Sequence, residues 1–135
     1  MLIKSAPAPL VWLYSKEEYL PSDLAAQLRH THPCVNRVPL TGYPSPLTLD
    51  NLDSLNKLGG TEVYLTSNDD ITTNPAWLNG VCPNEEGRTP GAVSACIIVN
   101  DKGNGHVDAF YLYFYAYNQG NVIFGKELGD HVGDW

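Results

Sequence analysis

The sequence predicts an α+β, mainly β fold: an antiparallel β-sandwich-like sheet with two short N-terminal helices. Three observations carry this. Two helical patterns lie in the first 60 residues, and two long β-type runs follow, Val93 to Val99 and Val107 to Tyr117. Between those runs stands Asn100-Asp101-Lys102-Gly103-Asn104-Gly105, whose asparagines and glycines tolerate positive φ and so suit a hairpin turn.

In chain order, Leu10 to Tyr14 alternates tightly enough for a short strand. Pro21-Ser22 then opens a helix over Asp23 to about His30. Ser22 is placed to cap free amides, Asp23 favours the positive dipole end, Leu24 and Leu28 form one face, and Pro33 is the stop. Val38 to Pro46 holds three prolines and a glycine and reads as an extended connector. The second helix has Thr48 as N-cap, leucines at 49, 52, 55 and 58 as a core stripe, and Gly59-Gly60 as its stop. Glu62 to Thr66 suits a half-buried strand, while Ser67 to Asn74 and Gly80 to Gly91 are turn-rich loops. In the hairpin's second arm, Tyr111, Tyr113, Tyr115 and Tyr117 share one face, and Phe110, Leu112 and Phe114 the other. Neither face is polar apart from Asp108, which predicts a central strand covered on both sides. The tyrosine row invites base or sugar stacking, with aromatic pairing inside a sandwich as the simpler reading.

At 135 residues the chain has the length of one domain, taken as 1–135. A hydrophobic content of 43% excludes global disorder. Eight Lys plus Arg against fifteen Asp plus Glu give a formal charge of −7, with the basic residues scattered singly. That excludes sequence-independent nucleic-acid binding and polybasic docking to anionic lipid. No apolar stretch approaches the roughly 20 residues of a transmembrane helix, and the start, MLIKSAPAPLVWLY, lacks a signal peptide's cleavage site. Cys34, Cys82 and Cys96 fit no metal knuckle, leaving free thiols or a single Cys82–Cys96 disulfide.

Hard ligands concentrate in Gly129-Asp130-His131-Val132-Gly133-Asp134-Trp135. Two carboxylates and an imidazole within five residues, with Gly133 allowing a turn, form a candidate site for calcium, magnesium or manganese. The alternative is a solvated turn anchored by Trp135. Asp69-Asp70 could add a carboxylate but reads more simply as a turn former. His30-Thr31-His32 could present two imidazoles if extended, or act as a charge partner at a frayed helix end. There is no nucleophile elbow, His-Glu-x-x-His pattern or usefully spaced Cys/His pair.

The segments LVWLYSKEEYLPSDLAAQL, PLTLDNLDSLNKLGG, EVYLTSNDDITTNPAWLNG, VDAFYLYFYAYNQGN and LGDHVGDW resemble the fungal vacuolar protein sorting-associated protein 62 family from about Leu10 to Trp135. The resemblance implies a role in targeting proteins to the vacuole, with no established catalytic activity. The last block is also similar to the necrosis- and ethylene-inducing-like proteins, whose signature is Gly-His-Arg-His-Asp-Trp-Glu. On that signature His131 falls on the first histidine, Asp134 on the aspartate and Trp135 on the tryptophan, and Asn118 takes the place of a ligating aspartate. Gly133 replaces the second histidine. That second family implies a β-sandwich binding a divalent cation and sphingolipid head groups. In the sorting family the chain continues beyond this tryptophan, so the resemblance implies the N-terminal part of a longer protein, an incomplete domain whose hairpin keeps an unpaired edge or an exposed apolar face.

Three functions are therefore expected in order. The first is a non-enzymatic role in vacuolar sorting through a protein partner or cargo, placed in the vacuole or endomembrane pathway, with secretion as the alternative. The second is divalent-metal-dependent binding of a lipid head group or glycan, with Asn118, Asp130, His131 and Asp134 around the cation and Gly129 and Gly133 shaping the turn. The third is metal-assisted hydrolysis.

Overall fold

A computed structural model describes residues 9–118, together with the backbone of 121–123, 126–128 and 131–132. The architecture is α+β and mainly β, and every strand pairing is antiparallel. One α-helix, α1 (Leu24–Arg29), precedes a three-stranded sheet of β1 (Thr31–Val35), β2 (Val38–Pro39) and β3 (Tyr64–Ser67), with β1 in the middle. A long hairpin follows, β4 (Ala95–Gly103) with β5 (His106–Tyr113). Two short pairs close the described chain: β6 (Tyr117–Asn118) with β9 (His131–Val132), and β7 (Asn121–Ile123) with β8 (Lys126–Leu128).

Helix α1 is capped by Asp23 rather than Ser22. The Asp23 carboxylate accepts the N–H groups of Ala25 at 3.2 Å and Ala26 at 3.0 Å, and also that of Val93 at 3.1 Å. It therefore caps the helix and ties it to the root of the hairpin. Burial pushes the Asp23 carboxyl up, but those three amides and the Arg29 guanidinium outweigh it and hold the group below its ordinary value. A depressed carboxyl stabilises the fold above the ordinary carboxylate range, and that contribution is lost as the pH falls through the lowered value. Ser22 is drawn inward instead. Its hydroxyl donates to the Leu20 carbonyl at 3.1 Å and accepts the Ala116 N–H at 3.0 Å, 94 residues away in sequence.

The second helix is a 3₁₀ helix, Leu52–Lys57. Leucines at 52, 55 and 58 recur every third residue, which is the 3₁₀ repeat itself. Leu55 packs with Leu28 and Leu47, and Tyr43, Leu52, Leu58, Val63 and Leu65 flank this cluster. A second core cluster joins Tyr19, Leu78, Phe114 and Ala116, flanked by Leu24, Ile71, Trp77 and Tyr117.

Two expected features differ. Leu10 to Tyr14 forms no strand, and among the described residues no strand pairs with it; it lies across the hairpin root, where the Tyr113 hydroxyl donates to the Pro9 carbonyl at 2.8 Å. Residues 31–35, expected to follow a helix stop, form the middle strand β1, in which Pro33 is almost fully buried and contributes a carbonyl that accepts the Leu40 N–H at 2.8 Å.

The hairpin turn is Asn104-Gly105, with φ of 53° and 80° at its two central residues. Positive φ at both positions is the type I′ geometry, whose twist matches that of the strands. Gly103 sits at a register shift beside it with φ of 78°. Strand β5 was expected to be covered on both sides. Among the described residues its sheet has two strands only, so Ile97, Ile98, Val99, Val107, Phe110 and Leu112 are all exposed. The exposed apolar face expected for the hairpin is thus present, on both of its sides.

Candidate functional site

An open groove of about 460 Å³ lies where the N-terminal segment crosses the end of the tyrosine row. Trp12, Tyr14, Tyr19, Tyr115 and Tyr117 supply its walls, with Leu13, Glu17 and Asn118 completing the lining. The volume is within the range that small-molecule sites occupy. Tyr19 is buried, and its ring meets that of Tyr117 edge to face at 4.6 Å between centroids. The Tyr19 hydroxyl also lies 3.5 Å from Asn74 Oδ1. One side of the groove is therefore built into the core. Trp12 and Tyr14 form the outer wall and remain 90% and 67% exposed.

Glu17 is held at the groove by its own turn. Its Oε1 accepts the Tyr19 N–H at 3.2 Å, and the Glu17 N–H donates to the Tyr14 carbonyl at 3.0 Å. The Tyr115 hydroxyl is pushed above its ordinary pKa, first by burial, then by the negative charge of Glu17, then by Tyr113.

Of the residues singled out for a cation, Asn118 is on β6, at the groove, and is the register partner of His131 on β9. The topology thus sets positions 118 and 131 opposite each other across one strand pair. Asp130, Asp134, Gly129, Gly133 and Trp135 lie outside the described residues. Among the described residues no three His, Cys, Asp or Glu side chains gather as a metal would require.

The other polar candidates have local partners. Asp70 caps a 3₁₀ turn, Ile71–Thr73, accepting the Thr72 N–H at 3.0 Å and the Thr72 hydroxyl at 2.7 Å. Those bonds hold its carboxyl below the ordinary value, the hydroxyl contributing most. Asp69 accepts the Trp77 indole N–H at 2.8 Å and lies 3.1 Å from His30 Nδ1, while the His30 and Trp77 rings stack 9° from parallel. His32 Nδ1 is 2.6 Å from Asn68 Oδ1. The two histidines therefore face separate partners, not one ion. All three cysteines are free, Cys34 buried and Cys82 and Cys96 exposed.

The aromatic groove was missed in sequence because its walls come from two ends of the chain. The signal that could have found it is the Trp12-x-Tyr14 pair: large aromatics beside prolines, in a segment with no partner strand.

No family model matches the chain, and no solved structure matches it. Among curated proteins, vacuolar protein sorting-associated protein 62 of Saccharomyces cerevisiae is 38% identical over 141 residues, covering 95% of this chain and 30% of the relative. TDA6 of the same yeast, provisionally named a vacuolar protein sorting-associated protein, is 39% identical over 139 residues, covering 94% of this chain and 30% of the relative. The chain thus spans about 30% of the length of the curated relatives it matches. This similarity, sustained along nearly the whole chain, is to a segment of vacuolar protein sorting-associated protein 62 and of TDA6.

Proposed function

We propose that this chain acts in vacuolar protein sorting as a binding module, in the endomembrane pathway, and that it engages a protein partner through the β4–β5 hairpin. The relatives' names support the pathway. The hairpin supports the mode: strands of nine and eight residues, each with one outer edge unpaired by any described strand, carry exposed Ile97, Ile98, Val99 and Phe110. An edge of that kind accepts an added strand, main-chain bonds giving affinity and alternating side chains giving selectivity. The test grafts this chain in place of the matching segment of the yeast relative and follows delivery of a vacuolar hydrolase. Ile98→Asp with Phe110→Asp is expected to reduce delivery several-fold while leaving thermal stability of the purified chain within a few degrees, because both side chains are exposed. Delivery equal to that of the unaltered graft would overturn the reading.

A second reading, divalent-cation-dependent binding of a lipid head group or glycan, is favoured by the Asn118 and His131 register. Asn118, Asp130, His131 and Asp134 would supply the oxygen and imidazole ligands that suit calcium, magnesium or manganese. Manganese is expected to raise the melting temperature of the chain and to fail to do so in His131→Ala. An equal rise in both proteins excludes His131 as a ligand.

A further inference from the structure

The groove beside Asn118 is aromatic on most of its wall, and among the described residues its lining carries one carboxylate and no lysine or arginine. Each feature narrows the guest. The faces of Trp and Tyr rings carry the negative lobe of a quadrupole, so aromatic walls attract a cation, and most strongly a weakly hydrated one. Glu17 adds a full negative charge at the same place, fixed by its bond with the Tyr19 N–H. The whole chain adds a formal −7, which favours approach of a positive group from a distance. A phosphate or sulfate would meet Glu17 with no cation among the described lining residues to neutralise it. A purely apolar guest would leave that carboxylate desolvated and without a countercharge.

We propose that this groove is a binding site for a quaternary ammonium group. Trp12 and Tyr14, left exposed by folding, supply the outer wall. Tyr19 and Tyr117, locked edge to face, supply the inner one, and Tyr115 lines the groove together with Glu17. The rise in the Tyr115 pKa that Glu17 contributes agrees with a carboxylate whose field reaches into the groove. The site is separate from the hairpin faces, so it stands or falls independently of partner binding there.

The test is titration of the purified chain with tetramethylammonium and with choline, set against 3,3-dimethylbutanol, the neutral molecule in which carbon replaces the choline nitrogen. Saturable binding of both cations, at least tenfold tighter than the neutral isostere, is the expected result. Trp12→Ala and Glu17→Gln are each expected to weaken it by roughly tenfold, in keeping with a partly desolvated cation–π contact. Both residues are exposed and outside any helix or strand, and an unchanged melting curve shows that the fold is retained. Two further arms identify the source of the group. Sedimentation with phosphatidylcholine vesicles, reversed by free choline, assigns it to a lipid head group; choline binding without sedimentation assigns it to a soluble ammonium compound. Equal binding of the neutral isostere, displacement of choline by an uncharged monosaccharide, or no saturable binding of either cation overturns the proposal.

Discussion

Gly80→Ala is expected to cost about 4 kcal/mol of stability, a large part of the roughly 5–15 kcal/mol that a domain of this kind has. Gly80 has φ of 76° and ψ of −160°, a backbone region open to glycine and closed in practice to residues with a Cβ. Space is lacking too. A Cβ there would lie 2.0 Å from the Leu20 carbonyl oxygen and 2.6 Å from its carbon, and these are main-chain atoms that cannot rotate away. The close approach exists because residues 79–81 are laced to residues 20–21: the Leu20 N–H donates to Asn79 and the Val81 N–H to Pro21, both at 2.9 Å. Moving the two segments apart would break both bonds beside the Tyr19–Leu78 core. The control is Gly42→Ala, where φ is 80° but nothing lies within 4 Å of the added carbon. It carries the conformational penalty alone, about 1 kcal/mol. If urea midpoints fall equally for the two variants, the close approach of residues 20 and 80 is wrong.

Leu78→Ala is expected to lose about 2–5 kcal/mol. Leu78 is 1% exposed and touches the only cluster that joins the N-terminal segment, the 3₁₀ turn Ala76–Asn79 and the root of the hairpin among the described residues. Removing its side chain leaves a void bounded by Tyr19, Phe114 and Ala116, whose main chains are held by the Ser22 bonds to Phe114 and Ala116 and by the Glu17 bond to Tyr19, which resist collapse. Leu112→Ala, on the hairpin and 42% exposed, is expected to cost under about 1 kcal/mol. Equilibrium unfolding separates the two. Equal losses would mean that the hairpin faces are covered in solution, contrary to the exposure on which partner binding rests.

These elements differ in how far the sequence betrays them, and the reason is the range of the interactions involved. The Asn104-Gly105 turn is local chemistry, since two adjacent residues that accept positive φ specify it without help from the rest of the chain. The leucine spacing of the second helix was also local, and its period of three pointed to a 3₁₀ helix more directly than to an α-helix. The cap of α1 shifted by one residue because Ser22 is claimed by Ala116, a partner that no local pattern reveals. Strand β1 was hidden by Pro33, which reads as a stop although one missing N–H is tolerable where the carbonyl and side chain are both used. For the site, the resemblance singled out Asn118 and His131, and the fold makes them register partners. The groove that Asn118 adjoins depends on residues 12–19 meeting 115–118, an encounter written in tertiary structure alone.

The two core clusters also set a timetable for assembly. The cluster around Leu28, Leu47 and Leu55 has every member and flanking residue by Leu65, whereas the cluster around Tyr19 and Leu78 needs Phe114, Ala116 and Tyr117. At translation speeds of about 5–20 residues per second, the chain between those points takes roughly 3–10 s to emerge. During that interval Tyr19, Leu24 and Leu78 have no permanent cover, although the first sheet and its helix can already form. The nascent chain is therefore half folded and sticky for seconds, which makes it a client for chaperones that hold apolar segments until the hairpin root arrives.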